Sequence, residues 1–74
     1  MTASNTTYNI ILIPIGSLIS MLRPYSSFSN DIGTFIVLER TTFDIRVFDI
    51  KTQTDILIDS QHFQEYEPKI LVRG

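Results

Sequence analysis

The sequence contains no cysteine, one histidine and one alanine. Without cysteine there is no disulfide framework, no thiol nucleophile and no thiolate-ligated metal, which favours a reducing compartment. With His62 alone, a His-rich metal site is excluded and any catalytic triad would hang on one residue. Basic residues are also scarce: six are scattered along the chain against eight acidic ones, for a net charge of −2 and a pI near 5.0. That distribution has no positive stripe with which to neutralise a run of phosphates, so nucleic-acid binding is disfavoured. The most apolar uncharged stretch, Ile10 to Leu22, has thirteen residues, whereas a membrane-spanning helix needs roughly 20. Met1 to Asn9 carries no Lys or Arg, so the basic region of a secretory leader is missing. In that setting the Asn5-Thr6-Thr7 sequon reads as a polar tail. No G-x-S-x-G, phosphate-binding loop or dinucleotide fingerprint is present.

What the chain does have is β-branched side chains. Isoleucine occurs twelve times and threonine eight times in 74 residues. Such residues lose χ1 freedom in helices and suit a pleated, half-buried surface. The length sets one small domain, burying about 60% of its unfolded surface. An all-β fold is expected.

Along the chain, residues 1–7 are small and polar. "YNIILIPI" (8–15) could be a strand whose end Pro14 demotes to an edge or bend, because proline cannot donate to a ladder. "SLISMLR" (17–23) is open to two readings: a short helix capped by Ser17, or a strand with Ile19 and Met21 on one face. Pro24 and the short length favour the strand. "TFIVLER" (34–40) and "FDIRVFDI" (43–50) read as the next strands. The apolar set of the latter changes face between Val47 and Phe48, which suggests a twist, a bulge or burial on both sides. "KTQT" (51–54) reads as a turn, and "DILID" (55–59) alternates with Ile56 and Ile58 inward. A turn at Thr52-Gln53 would set Val47 opposite Ile58 and Arg46 opposite Asp59. "SQHFQEYEP" (60–68) reads as a tight helical turn before a last strand, "KILV" (69–72). Five short strands, one long early loop and a late helical turn predict a small, partly open barrel.

Asp44, Asp49, Asp55 and Asp59 alternate with apolar residues, as a solvated strand face does, so they read as structural and not as a hard-cation site. His62 beside Phe63 reads as a half-exposed packing residue. Catalysis by this chain is not expected. The remaining signal is the connector "LRPYSSFSNDIGT" (22–34). Gly33 after Asn30-Asp31 suits a turn position with positive φ, and Pro24 fixes the exit from the preceding strand. Tyr25 and Phe28 form either a plug over one barrel end or a contact for a partner.

The order of residues in "GSLISMLRPYSSFSNDIGT" (16–34) resembles the N-terminal signature of PsaE, subunit IV of photosystem I. The matching residues are Gly16, Ser17, Leu22, Arg23, Pro24, Ser26, Phe28, Asn30, Asp31, Ile32, Gly33 and Thr34, without a gap. "RVFD" (46–49) and "DSQHF" (59–63) are similar, more loosely, to later stretches of that family. The resemblance implies a five-stranded SH3-like barrel over residues 16–74, with "SLISMLR" as its first strand and a long loop after it. It implies a non-catalytic, cofactor-free subunit peripheral to the thylakoid membrane on its stromal (or cytoplasmic) face, in a host complex carrying chlorophyll and iron–sulfur clusters. The implied partners are the core subunits, the iron–sulfur subunit and ferredoxin, with a role in cyclic electron flow also associated with the family. Arg23, Tyr25, Phe28, Asn30 and Asp31 are the expected subunit contacts. The family's ferredoxin-docking arginine aligns with Val47, and the adjacent Arg46 is the candidate to replace it. Residues 1–15 extend beyond the family pattern and are expected to lie against a neighbouring subunit. From the residues alone, an unrelated SH3-like adaptor or inhibitor is the other reading.

Overall fold

The computed structural model describes residues 13–28 and 30–74. Strands β1 (Leu18–Leu22), β2 (Ile32–Arg40), β3 (Asp44–Asp49) and β4 (Thr54–Asp59) form an antiparallel meander. A four-residue helix α1 (Ser60–Phe63) and a 3₁₀ turn (Gln64–Tyr66) then lead to β5 (Lys69–Val72), which pairs antiparallel with β1. The sheet order is β4-β3-β2-β1-β5. This is the expected small, five-stranded, partly open barrel-like arrangement, with the sheet left open between β4 and β5 among the described residues.

Alternation places every second residue of a strand on one face. The inner row is Ile19 and Met21 on β1, Phe35 and Val37 on β2, and Ile45 and Val47 on β3, with Ile58 on β4; all are buried. "SLISMLR" is thus a strand, not a helix. Ile56 packs partly buried beside this core while Leu57 faces solvent, as the alternation in β4 predicts. Phe63 is fully buried, delivered by α1, whose first turn is capped by the Asp59 carboxylate accepting from the Gln61 N–H at 2.8 Å. Its neighbour His62 is exposed, not half-buried.

Three details depart from expectation. The β3–β4 pairing sets Val47 opposite Ile56, and Arg46 opposite Leu57, two residues from the expected register. The reason is a longer turn: residues 50–53 all lie outside the ladder, and Gln53 N–H bonds back to the Asp49 carbonyl at 2.7 Å. A two-residue shift leaves the faces unchanged, so the buried pattern survives. Second, β3 alternates regularly through Val47 and Phe48. The irregularity lies across from it, where the β2 register steps between Val37 and Glu39.

Third, barrel packing begins before Gly16. Ile13 is 1% exposed within the core cluster, and its carbonyl accepts a hydrogen bond from Arg40 Nε. The chain then turns through Gly16, at φ 91°, where a side chain would be strained. It docks on β2 through Gly16 N–H to Val37 O (2.8 Å) and Val37 N–H to Ser17 O (3.0 Å). Residues 1–12, with most of the expected extension and of the "YNIILIPI" strand, lie outside the described residues.

Truncating the Phe63 side chain empties the site α1 exists to fill. Phe63→Ala is expected to cost about 3–5 kcal/mol, measured as a loss in denaturant unfolding free energy.

Candidate functional site: a clamped loop at one end of the barrel

The inner rows do not end in hydrocarbon. Continuing β1 by two residues from Met21 reaches Arg23; preceding Phe35 by two reaches Gly33; following Val47 by two reaches Asp49. These three residues meet at one end of the barrel. Asp49 is fully buried, and a buried carboxylate is costly unless it is paired and hydrogen-bonded. Arg23 supplies the pairing: Nε donates to Asp49 Oδ2 at 2.7 Å, and Nη1 donates to Asp31 Oδ1 at 2.8 Å. The Arg23 side chain is only 8% exposed. Its backbone N–H donates to the Asp31 carbonyl at 2.8 Å, so main chain and side chain together close the base of the loop.

Gly33 makes that reach sterically accessible. A Cβ at this position would lie 2.8 Å from Arg23 Cζ, closer than any real contact. The expected positive φ at Gly33 is not found: among the described glycines only Gly16 has one. Gly33 sits inside β2 in ordinary strand conformation, and its lack of a side chain serves the guanidinium passing over it.

The turn after β3 completes the arrangement. Asp49 Oδ1 accepts the backbone N–H groups of Lys51 (3.0 Å) and Thr52 (3.4 Å). Tyr25, from the loop, donates its hydroxyl to Asp49 Oδ2, and that hydroxyl lies 2.7 Å from Thr52 Oγ1. Burial pushes the Asp49 carboxyl up, but the hydrogen bonds from Arg23, Tyr25 and Thr52 and the charge of Arg23 outweigh it. The carboxyl is held well below the usual carboxylate range. The hydrogen bond to Asp49 is the main cause that raises Arg23 above its ordinary value, against burial, with the charge of Asp49 and then Asp31 adding to it.

Of the five expected contact residues, Arg23 is therefore the internal clamp, and Asp31, with its side chain 33% exposed, is its second partner. Tyr25 is 48% exposed and closes over Asp49. Phe28 is 73% exposed, so it plugs nothing, and Asn30 is exposed. An open cleft of about 370 Å³ lies between loop and turn, lined by residues that include Tyr25, Phe28, Lys51 and Thr52. Arg46 lies elsewhere, on the outer face of β3. It donates to Glu39 Oε1 at 3.1 Å and to Asp55 Oδ1 at 3.1 Å, and the bond to Asp55 chiefly raises its pKa. Its expected partner Asp59 instead caps α1. Val47, at the aligned arginine position, is in the core.

Asp49 was legible in sequence only as one of four alternating aspartates. The overlooked signal was its place on the inner parity of β3, in line with Ile45 and Val47. Among the described residues no group of three His, Asp or Glu side chains is placed to hold a metal ion, and no helix is long and apolar enough to cross a membrane. No family model, curated protein or solved structure matches the chain.

Two outcomes follow from the clamp. Gly33→Ala should destabilise by about 1–3 kcal/mol, because a methyl displaces the guanidinium from Asp49. In an Arg23→Ala background the same change should become neutral or stabilising, since Ala is preferred over Gly inside a strand; a double-mutant cycle in urea measures the difference. For Asp49, the folded pKa lies below the unfolded one. Its contribution is therefore present above the ordinary Asp pKa of about 3.9 and is lost as pH falls from there toward the folded value. Asp49→Asn should cost about 3 kcal/mol at pH 7, and the gap to wild type should narrow steadily below about pH 5, read from urea midpoints across pH 7 to 3.

Proposed function

We propose that this chain is a non-catalytic docking barrel, a divergent member of the photosystem I subunit IV family. On this reading it is a peripheral subunit on the stromal (or cytoplasmic) face of the thylakoid membrane. It stabilises the acceptor side and assists ferredoxin docking, with cyclic electron flow as an associated role. It contacts the core subunits and the iron–sulfur subunit and binds no cofactor itself.

One observation carries the reading. The residues that resemble the family signature are not independent of one another in space. Arg23, Asp31 and Gly33 from the first block and Asp49 from the second form one interlocking cluster. A set of residues that require each other physically is better support for a shared design than the same number of scattered identities. With its base locked, the loop offers Phe28 and the outer side of Tyr25 to a partner. Arg23 is reassigned by this geometry from a contact residue to the residue that positions the contacts. Arg46, tied to Glu39 and Asp55, is a screened cation and a weak docking candidate.

The test is fractionation of the native source. The chain should comigrate with a chlorophyll-containing complex and leave it with chaotropes, and Phe28→Ala should loosen that association without changing the unfolding midpoint. Recovery solely in pigment-free fractions would overturn the reading in favour of an unrelated SH3-like adaptor or inhibitor, for which the cleft between loop and turn would be the recognition surface.

A further inference from the structure

Two segments far apart in sequence share one acceptor. The Asp49 carboxylate takes the Lys51 and Thr52 N–H groups from its own turn, and the Tyr25 hydroxyl from the loop. The Tyr25 hydroxyl also meets Thr52 Oγ1 at 2.7 Å, across 27 residues of chain. Among the described residues, the hydrogen bonds that cross from 24–28 to the end of β3 and its turn are both made by Tyr25. The other bonds of this stretch are local: Ser26 N–H to Arg23 O at 3.2 Å, and Phe28 N–H to Ser26 Oγ at 3.1 Å.

We infer that loop residues 24–28 and the turn at 50–53 open and close as one cooperative unit, with the Tyr25 hydroxyl as its latch. The two attachments to Asp49 differ in kind. Arg23 extends directly from β1, beneath the loop, and holds the carboxylate whether the loop is closed or open. Tyr25 lies beyond Pro24 and is half exposed, so its bonds break first when the loop lifts. Once they break, water reaches Asp49 and competes for the carboxylate oxygens that protect the Lys51 and Thr52 amides. Loop and turn are both drawn from the exposed, low-stability part of the fold, where a shared anchor is enough to couple them. Reciprocity then requires that whatever holds the loop closed also orders the turn, and the converse. The coupling is a property of the isolated chain and does not depend on which partner the loop meets.

Hydrogen exchange on the full chain, followed by NMR at each amide, tests it. Tyr25→Phe keeps the ring and removes the hydroxyl. The Lys51 and Thr52 amides should exchange on the order of tenfold faster, although the substitution is in another segment, while β2 and β3 ladder amides keep their rates. Thr52→Val removes the hydroxyl from the exposed turn instead, and should accelerate the Ser26 and Phe28 amides; it decides the matter if the tyrosine variant does not fold. Unchanged rates at Lys51 and Thr52 in Tyr25→Phe, or at Ser26 and Phe28 in Thr52→Val, would mean that loop and turn move independently. Uniform acceleration of every amide would make the hydroxyl a contributor to global stability alone. Either result overturns the latch.

Discussion

The buried carboxylate of Asp49 is the constraint around which one end of the molecule is built. It occupies the place in the inner row where a further aliphatic residue would continue the core. Removing a carboxylate from water costs several kcal/mol unless charge and hydrogen bonds replace the lost hydration. The replacements come from three directions: a guanidinium from β1, a hydroxyl from the loop and backbone amides from the turn. Gly33 is the vacancy through which the first arrives. Remove the guanidinium, and the hydroxyl and amides are left with an unpaired buried charge.

Such a cluster gives little net stability relative to a hydrocarbon core of the same volume. What it provides is position. An aliphatic residue at 49 could tolerate several placements of the loop, since apolar contact is not directional. The forked guanidinium, bonded to Asp49 and Asp31 at once, admits one. The base of the loop is thereby tied to β3 on one side and to the start of β2 on the other. In a small barrel whose sheet is open among the described residues, that directional bond takes over part of what a larger core would do by packing.

Rigid base and exposed tip together make the loop suited to docking. The ordering cost of an interface loop is reduced when the loop is held in place beforehand. Phe28 then presents a largely exposed aromatic surface. Arg46 illustrates the opposite case. It shares its charge between two carboxylates on a solvated face, where ion pairs are screened and worth little, and the regular alternation of β3 leaves it on the face opposite Val47.

The strands were legible in the sequence because a period of two shows which side chains share a face: Ile19 with Met21 on β1, and Ile56 with Ile58 inward on β4, could be read from alternation, whereas β2, apolar on both faces, did not show which of them goes inward. The helical turn that buries Phe63, and the loop between Leu22 and Thr34, were legible for the same local reasons. Register across the 50–53 turn was not, because a shift of two residues preserves the hydrophobic pattern and leaves no trace in it. Nor was the partnership of Arg23, Gly33 and Asp49, whose residues are 10 and 16 positions apart along the chain. A glycine near an Asn-Asp pair reads locally as a turn, and an aspartate among aspartates as solvated. Only the closing of three strands side by side brings an arginine over the glycine and onto the acid, so tertiary structure alone decided that the loop is clamped.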